Sequence, residues 1–443
     1  MKSADPICLF ALIGLTLAAV SCSGGALQDC AIVAYPHVTP MPQVGDVLDV
    51  HDPVIFEQDG RFVLMSTGSG IPIRHSDDLL EWESVGQVFE HLPPWAAESV
   101  PGVEFPWAPD LAYFGQRYHL YYSLSTFGNQ RSVIALATSP TLNPQDENYA
   151  WQDHGPVVES EPDAVDFNAI DPNVAIDTSG YPWLVWGSYW SGIKMRRLDA
   201  ATGLFSGDDE RIYSLAERSG VTAVEAPFII RHEGFFYLFV SFDICCRGVD
   251  STYKIMVGRA TDITGPYVDY AGVSMAQGGG TLVLASYGRI RGPGHNAVLS
   301  SNNRHYLVHH FYDAATAGRS RLQIRSLLWD AKGWPLAGEP YDGSDPLANL
   351  GDPAIVGSWA HSIDYQPPFK IELFGGGRLA SCVRQGSWSS DGTRVTFAWT
   401  GSEGSNAATT ERVTVAGDGS WYAGRAADGT VIRGLRLNDA VRR

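Results

Sequence analysis

The chain alternates short apolar segments with polar turns, and this alternation repeats along the sequence. Five copies of one plan lie between His51 and Trp334: a polar or acidic residue, often before proline, then an apolar strand, a short turn and an aromatic-rich second strand. The copies begin at His51, Ala108, Asp171, Ala226 and Gly294. Two further strand patterns, separated by Asp, Thr, Gly and Pro turns, follow in every copy. A period of roughly sixty residues built from short strands therefore predicts a five-bladed β-propeller of four-stranded blades.

The pattern changes after Glu339. Alternating strands bounded by Asp-Gly and Gly-Gly turns run from Gly357 to Leu437, which indicates a small antiparallel, lipocalin-like β-barrel. The fold class is thus all-β, and 443 residues exceed one ordinary core. We assign 47–338 to a propeller domain that carries the catalytic site and 350–443 to the barrel, for which we expect a structural or sugar-holding role.

The N-terminus has the pattern of an export signal. Lys2 precedes an apolar run from Ile7 to Val20, which is too short to span a bilayer comfortably but suits a signal peptide. The run ends just before Cys22, as in a bacterial lipoprotein signal, so 1–22 is predicted to be a signal peptide. Lipidation at Cys22 and cleavage by ordinary signal peptidase both stay open. Residues 23–46 read as a linker or arm, and the predicted location is secreted or lipid-anchored to the cell envelope.

The composition limits the classes of molecule that the protein is expected to bind. A net charge of −18 without a basic cluster opposes binding to nucleic acid. The chain has 13 Trp, 19 Tyr and 18 Phe, and although most of them would fill the core, some flat faces suit sugar stacking. The only contact with a membrane that we expect is a lipid anchor at Cys22. The sequence has no signature that indicates an oligomeric state.

Four cysteines stand outside the predicted leader: Cys30, Cys245, Cys246 and Cys382. Their connectivity cannot be derived from the sequence, because four cysteines in an oxidising compartment can pair in three ways. Neighbouring cysteines are closer than ordinary disulfide geometry allows, so a bridge between Cys245 and Cys246 would need a distorted or cis peptide. We therefore expect two free, buried thiols there, with a vicinal disulfide at the rim of a pocket as the alternative.

Acidic residues recur at equivalent positions of the copies. Asp52 and Asp171 share one first-strand position in the first and third copies, and Glu225 stands one residue before the fourth. Equivalent positions converge on the axis of a propeller, so these three carboxyls are expected to meet in one pocket. A single Asp-Pro pair more often starts a turn, as Asp352-Pro353 could. Three convergent acids favour glycosidic chemistry, in which a protonated acid assists the leaving oxygen and an ionised acid activates water or attacks carbon.

The motifs around these acids match a known family. HDP at 51–53, AIDP at 169–172 and VEAP at 224–227 arrive in the family's order and spacing, together with CCRGVDSTYK at 245–254 and GPGHN at 292–296. They resemble glycoside hydrolase family 43, and its endo-1,5-α-L-arabinanases in particular. The likeness covers essentially all of the five copies.

The resemblance implies an inverting mechanism on a five-bladed propeller. Asp52 would be the general base that deprotonates water, Glu225 the general acid, and Asp171 the residue that raises the pKa of that acid and orients it. A nearby negative charge disfavours ionisation of Glu225, so this division of roles is physically coherent. Inversion also leaves room for a water, and we expect the carboxyls of Asp52 and Glu225 to lie roughly 6.5 to 9.5 Å apart.

The resemblance also implies a metal and a set of sugar contacts. His295 would hold a hydrated ion, usually calcium, in the propeller channel, although by spacing alone a lone histidine is more often a buried, hydrogen-bonded one. Such an ion would help Asp52 to stay ionised. Trp107 and Phe127 resemble the aromatic floor and wall of the sugar subsites, and Asn168 and Ser188 lie in motifs that border the same pocket.

Other polar residues receive no chemical role. His51, His309 and His310 are candidates for support only, and Asp110 is left unassigned.

Two alternatives accompany the principal hypothesis of an exported enzyme that cleaves internal α-1,5 links of arabinan, a pectic side chain. One is an exo-acting arabinofuranosidase or β-xylosidase on the same scaffold, since loops at the ends of the groove decide between endo and exo action. The other is a non-catalytic sugar-binding propeller, which the presence of all three acids argues against.

Overall fold

The structure, a computed structural model, describes residues 41–221, 223–347, 355–392, 394–400 and 408–437. The predicted signal peptide, Cys22 and Cys30 lie outside these residues. Within them the regular secondary structure is almost entirely β-strand, arranged as a five-bladed propeller and a closed eight-stranded barrel. The predicted all-β fold class, with its order of propeller and barrel, is confirmed.

Each of the first three blades is an antiparallel sheet of four consecutive strands, and the first blade carries one extra short strand. The strands of blade 1 are β1 (Val44–Gly45), β2 (Val54–Gln58), β3 (Arg61–Met65), β4 (Pro72–Ser76) and β5 (Glu81–Gln87). The strands of blade 2 are β6 (Trp107–Phe114), β7 (Arg117–Leu124), β8 (Ser132–Ser139) and β9 (Gln152–Ser160). The strands of blade 3 are β10 (Asn173–Ile176), β11 (Pro182–Trp186), β12 (Ile193–Arg197) and β13 (Tyr213–Ala216).

Blades 4 and 5 follow the same plan. The strands of blade 4 are β14 (Val224–His232), β15 (Phe235–Phe242), β16 (Lys254–Ala260) and β17 (Thr281–Leu284). The strands of blade 5 are β18 (Ile290–Ser301), β19 (Arg304–Asp313), β20 (Arg319–Trp329) and β21 (Pro335–Pro340). The helical segments are short: α1 (Ala96–Ser99) and the 3-10 turns Gly248–Asp250, Met275–Gln277 and Ala314–Thr316.

The segment at 44–49 ties the last blade to the first. Strand β1 pairs in parallel with the outer strand β5 of blade 1. A few residues further on, Asp49 N donates to Ser320 O at 2.8 Å, and Leu322 N donates to Val47 O at 2.9 Å. The same short stretch therefore hydrogen-bonds to blade 1 and to β20 of blade 5, which closes the ring. The end of the predicted arm is thus part of the propeller sheets.

The barrel is an antiparallel meander that closes between its first and last strands. Its strands are β22 (Gly357–Ile363), β23 (Phe369–Phe374), β24 (Arg378–Ser381), β25 (Gln385–Ser390), β26 (Arg394–Trp399), β27 (Thr409–Val415), β28 (Trp421–Ala426) and β29 (Val431–Arg436). Side chains fill its interior, as expected for eight strands. Among them Trp359, Phe397 and Val395 are fully buried.

The barrel packs against the outer strands of blades 4 and 5. The buried Arg425 guanidinium donates to Leu282 O at 2.9 Å and to Pro335 O at 2.8 Å. The Tyr365 hydroxyl donates to Val283 O at 2.7 Å. These buried bonds satisfy carbonyls at the edge of the propeller and hold the two units together. In the part of the chain that the structure describes, no helix is both long and apolar enough to cross a membrane.

Candidate active site

Every blade has a residue in the left-handed region within its innermost strand or just before it. The five residues occupy equivalent positions, with φ of 50° at Asp52, 42° at Ala108, 58° at Asp171, 55° at Ala226 and 47° at His295. A non-glycine residue in this region costs roughly 1–2 kcal/mol, so its recurrence needs compensating contacts. The repeat that the sequence shows is therefore also a repeat of backbone conformation.

Those contacts are hydrogen bonds between successive blades. In four junctions the backbone N–H of the left-handed residue donates to a side chain at the end of the second strand of the preceding blade: Thr67 Oγ1 for Ala108, Ser123 Oγ for Asp171, Ser241 Oγ for His295 and His310 Nδ1 for Asp52. The junction from blade 3 to blade 4 differs, because Ser188 Oγ donates to the Glu225 carboxylate at 2.6 Å. The five junctions form a ring, in which blades 1 and 4 are not neighbours.

A cavity of about 1030 Å³ opens at the propeller axis. All eight residues that the sequence analysis proposed for the site line it: Asp52, Asp171, Glu225, His295, Trp107, Phe127, Asn168 and Ser188. The three carboxylic acids are each less than a tenth exposed and reach the cavity from blades 1, 3 and 4. The structure thus brings together residues that the sequence separates by more than two hundred positions.

Asp52 is surrounded by hydrogen-bond donors. Its Oδ2 accepts from the Thr67 hydroxyl at 2.6 Å, and its Oδ1 lies 2.8 Å from His51 Nδ1 and 3.0 Å from His295 Nδ1. Burial alone would raise the pKa of Asp52, but the charges and hydrogen bonds of His51 and His295 hold it well below its usual range. Asp52 is therefore ionised at neutral pH, which is the state that a base requires.

Glu225 has the opposite electrostatic character. Burial raises the pKa of Glu225, and the negative charge of Asp52 adds to that rise. Two hydroxyl donors oppose it: Ser188 on Oε2 and Tyr253 on Oε1, both at 2.6 Å. The same two bonds fix both oxygens of the carboxyl in the cavity wall. Glu225 therefore holds its proton to a higher pH than an ordinary glutamic acid does, and it is oriented.

Asp171 contacts the chain next to Glu225. Its Oδ2 accepts the N–H of Ala226 at 3.1 Å, so it holds the backbone directly after Glu225. Burial, together with the charges of Glu225 and Asp52, raises the pKa of Asp171 to about 8 against the opposing effect of His295. At neutral pH Asp171 thus retains a proton that a free carboxyl would lose. The bond to Ala226 supports the predicted orienting role. A protonated Asp171 carries no negative charge, so its effect on the pKa of Glu225 is smaller than we expect from the sequence.

His295 stands where a positive charge is favoured. Burial lowers its pKa, but the charges of Asp52, Asp171 and Glu225 prevail and raise it to about 9. Its Nδ1 faces Asp52, which leaves Nε2 as the nitrogen that could hold an ion. One nitrogen cannot replace the six to eight oxygen ligands of calcium, so only a largely hydrated ion fits this position. Such an ion would have to displace the proton that this raised pKa keeps on the ring, because an imidazole nitrogen binds a metal only when it is deprotonated.

A second group of potential ligands is already engaged. His51, Asp52 and His310 present atoms within 4.8 Å of one another. However, His310 Nδ1 accepts the N–H of Asp52, while His51 contacts Asp52 with Nδ1 and Tyr312 with Nε2. His51 stacks on His310 with ring centroids 3.9 Å apart. This group supports Asp52 rather than a metal ion, in the supporting role that the sequence analysis gave to His51 and His310.

The remaining two residues of that analysis lie away from the cavity. His309 is fully buried, and its Nδ1 lies 2.9 Å from the carbonyl oxygen of His310. Asp110 is buried and accepts from Val174 N at 2.7 Å and from Asn173 Nδ2 at 3.2 Å. Asp110 thus links blade 2 to blade 3, which gives it a structural function.

Aromatic side chains form the rim of the cavity. Phe127 is 83% exposed, and Trp190, which the sequence analysis did not single out, is 37% exposed beside it in the cavity lining. Trp107 lies deeper, in β6. Exposed aromatic faces beside a polar cavity suit the apolar faces of sugar rings.

One expectation was wrong. Cys245 and Cys246 are joined by a disulfide and are not free thiols, and Cys246 is exposed at the cavity rather than buried. Their Cα atoms are 3.8 Å apart, as across a trans peptide, so no cis peptide is needed. The chain accommodates the bridge by placing Cys246 in the left-handed region at φ 63°. The alternative that the sequence analysis kept open, a vicinal disulfide at the pocket rim, is the one observed. Cys382 is free and exposed.

Two contributors to the site were missed from sequence. Thr67 holds Asp52, and a signal for it existed: every copy of the repeat carries a hydroxyl or a histidine at the end of its second strand. Tyr253 holds Glu225 from the residue before β16, and nothing in the repeat pattern distinguishes it from a core tyrosine. Only the folded arrangement shows that it reaches the acid.

The arrangement defines a class of protein. Asp52 has a lowered pKa and Glu225 a raised pKa around a common cavity with aromatic walls, which is an arrangement that a glycoside hydrolase requires. Residues 47–335 match the family model described as Glycosyl hydrolases family 43, and the chain belongs to that family. The resemblance stated from the sequence is therefore confirmed.

Characterised relatives support the same class. The chain is 39% identical to an extracellular exo-α-(1→5)-L-arabinofuranosidase of Cellvibrio japonicus, over 66% of this chain and 87% of the relative. It is also 39% identical to an extracellular endo-α-(1→5)-L-arabinanase of Bacillus subtilis, over 65% and 87%. The fold of an endo-1,5-α-L-arabinanase from Thermotoga petrophila covers 90% of this chain and all of that structure at a TM-score of 0.76, with 22% identity.

Proposed function

We propose that the enzyme hydrolyses internal α-1,5-L-arabinofuranosidic links of arabinan with inversion of configuration. Asp52 activates a water as general base, and Glu225 protonates the leaving oxygen as general acid. The observation that carries this proposal is the opposite electrostatic tuning of the two: donors hold the pKa of Asp52 well below its usual range, while burial raises that of Glu225. An acid and a base with separated pKa values can both be in their working states at one pH.

The positions of the two residues suit a water between base and sugar. Asp52 is on blade 1 and Glu225 on blade 4, which are not neighbours in the ring, so the two carboxyls approach the cavity from different sides. Inversion requires this, because the attacking water enters on the face opposite the leaving group. NMR of the first product anomer tests the stereochemistry, and release of an anomer with the substrate's own configuration would contradict it.

The substrate assignment rests on the relatives and on the cavity. Both enzymes named above act on α-1,5-linked arabinose according to their names, and both are about equally similar to this chain. A cavity of about 1030 Å³ has room for several sugar units. We propose the endo mode because the cavity is open to solvent along a rim with exposed aromatics, Phe127 and Trp190.

The exo mode is the second candidate, since one of the two relatives bears that name. A time course on linear arabinan separates the modes. Endo action gives a mixture of oligosaccharides and an early loss of viscosity, whereas a single short product released from the start would establish exo action. A parallel assay on branched arabinan shows whether the rim tolerates side branches.

We further propose that His295 binds a hydrated calcium ion, which would add positive charge beside Asp52 and favour its ionised form. Nδ1 would stay on Asp52 and Nε2 would face the ion. Calorimetric titration of the chelator-treated protein with calcium should show one site, and His295→Gln should abolish it. Equal binding by the parent and the variant would refute the assignment.

We propose export of the enzyme, because both relatives are named as extracellular. Lipidation of Cys22 remains a prediction from the sequence. Mass spectrometry of the mature N-terminus from the native host would show an acylated Cys22 if it is correct. A mature chain that begins after Cys22 and carries no lipid would refute it.

A further inference from the structure

The vicinal disulfide lies next to the support of Asp52. It belongs to the loop between β15 and β16 and lines the cavity with both of its cysteines. The Cys246 sulfur lies 3.9 Å from His51 Nε2, the ring that contacts Asp52. The loop therefore lies outside the Asp52 carboxylate, with the His51 ring between them.

A chain of three hydrogen bonds joins the loop to the carboxylate. Cys246 N donates to the Tyr312 hydroxyl at 2.7 Å, and that hydroxyl lies 2.8 Å from His51 Nε2. His51 Nδ1 lies 2.8 Å from Asp52 Oδ1. Tyr312 is 4% exposed and does not line the cavity. It is thus out of reach of a bound sugar.

The directions of these bonds follow from their chemistry. The ionised Asp52 can only accept, so His51 Nδ1 carries the proton and donates. The other nitrogen of the same ring, Nε2, faces the Tyr312 hydroxyl at 2.8 Å. The hydroxyl in turn accepts the N–H of Cys246. The Tyr312 hydroxyl thus contacts one side of the His51 ring and holds its Nδ1 against Asp52.

The disulfide immobilises the group at the far end. The N–H of Cys246 belongs to the peptide between Cys245 and Cys246, and this peptide is part of the ring that the disulfide closes. The bridge therefore restricts the one amide that donates to Tyr312. Other bonds of the loop, such as Thr252 N to Ile244 O at 2.9 Å, hold its ends but not this peptide.

We propose that Tyr312 is a positioning residue for Asp52, acting through His51, and that the Cys245–Cys246 disulfide holds Tyr312 in place. The inference rests on the proposed function only in taking Asp52 as the base. The disulfide then serves catalysis from the rim of the cavity without contacting the reacting atoms, in the way that outer-shell hydrogen bonds orient the groups that do the chemistry.

Tyr312→Phe tests the central residue. The variant loses only the hydroxyl, so we expect kcat on linear arabino-oligosaccharides to fall roughly tenfold while KM stays within about twofold, the effect of one lost oriented hydrogen bond. Tyr121→Phe is the matched control. Tyr121 is a fully buried tyrosine of blade 2 whose hydroxyl donates to Gly203 O at 2.6 Å, away from the cavity lining. It should lose comparable thermal stability with kcat unchanged.

The disulfide is tested on its own. Cys245→Ala combined with Cys246→Ala should lower kcat by a smaller factor of about three to five, because the amide remains but is no longer held. Treatment of the parent protein with a phosphine reductant should lower kcat to the same value. The double cysteine variant under the same reductant is the control for any other cysteine. In the Tyr312→Phe background, removal of the disulfide should have no further effect on kcat, since the two act in one chain.

The outcomes are distinguishable. Unchanged kcat in Tyr312→Phe, or a raised KM with unchanged kcat in the double cysteine variant, would overturn the positioning role and make the disulfide a wall for substrate. Should Tyr312→Phe fail to fold, the double cysteine variant and the reductant still decide the matter. Failure of the proposed function would look different: the parent protein would not hydrolyse arabinan, or Asp52→Asn would retain its activity.

Discussion

The propeller and the barrel are both closed all-β units, yet one encloses a cavity and the other a packed core. In the barrel, eight strands close on themselves and apolar side chains such as Trp359 and Phe397 occupy the interior. In the propeller, five separate sheets are arranged around the axis, and their first strands leave a cavity of about 1030 Å³ there. The propeller closes as a ring of five sheets, whereas the barrel closes as a ring of single strands. Only the ring of sheets leaves room for a substrate.

Both units bury an acid with a raised pKa, and only one of them can use it. Burial raises the pKa of Glu411 in the barrel to about 7. Its nearest titratable neighbour, His361, is kept neutral, because burial lowers the pKa of that histidine to about 3. Neither residue lines the axial cavity. Glu225 has a raised pKa as well, but it faces a cavity that also holds an ionised Asp52. A perturbed acid therefore indicates catalysis only when a second group and space for substrate accompany it.

The sharpest contrast between the two units is expected in activity. Glu225→Gln and Asp52→Asn should each lower kcat/KM on arabinan by about 10³-fold, since each removes one proton-transfer group. Glu411→Gln, the same exchange in the barrel, should leave kcat/KM within twofold. Calorimetric binding of an arabino-oligosaccharide should persist in both cavity variants. Full activity in either cavity variant would exclude the role given to that residue.

A substrate with a good leaving group distinguishes the role of the general acid from that of the general base. An aryl arabinofuranoside with a strongly acidic phenol needs little protonation of its leaving group, so Glu225→Gln should recover most of its rate on it. Asp52→Asn should not, because water activation is still required. Equal impairment of both variants on the aryl substrate would contradict this division of roles.

Much of this contrast could be predicted from the sequence. The five copies predicted the blades, and the acids at equivalent positions predicted the convergence, because a repeat in sequence imposes a repeat in space. Tyr253 and Tyr312 could not be predicted, since their contacts depend on the way in which neighbouring blades meet. The disulfide was misjudged because spacing rules assume ordinary backbone at both cysteines, whereas Cys246 is in the left-handed region.

Glu411, the buried acid of the barrel, should affect the stability of the protein, whereas the acids of the cavity affect its catalytic rate. Between about pH 4.5 and pH 7 the folded protein keeps a proton on Glu411 that the unfolded chain loses, so this group's contribution to stability falls as pH rises through that window. The full loss is about 3 kcal/mol above pH 7. Glu411→Gln should remove this dependence and be the more stable protein at pH 8. Unfolding free energies of the full chain at several pH values test it, and equal slopes for parent and variant would refute it.

The contacts between blades should matter for stability alone. Asp110→Ala removes the acceptor of Val174 N and Asn173 Nδ2 at the junction of blades 2 and 3, and it leaves both donors buried without that partner. We expect a loss of about 2 kcal/mol in the free energy of unfolding. Asp110→Asn, which keeps one acceptor oxygen, should recover part of it. The kcat of the folded enzyme should be unchanged in both, and a large fall in kcat at temperatures well below unfolding would mean that Asp110 serves the site.

The smallest effect that we expect is a shift in the pH profile, which tests whether the hydroxyls of Tyr253 and Ser188 orient Glu225 or contact the sugar. Tyr253→Phe removes one donor to Glu225, and donors to a carboxylate stabilise its charged form, so the pKa of Glu225 should rise further. A general acid works while protonated, and kcat/KM falls as pH rises through its pKa. The alkaline limb of the pH profile should therefore move to higher pH, by roughly half a unit.

Ser188→Ala removes the second donor and should move the limb in the same direction. From the sequence we expect Ser188 among the sugar contacts, whereas its hydroxyl donates to the Glu225 carboxylate in the structure. A raised KM with an unmoved limb in Ser188→Ala would favour the sugar contact. A limb that shifts in both variants with KM unchanged would show that hydroxyls from blade 3 and from the loop before β16 set the working range of the acid.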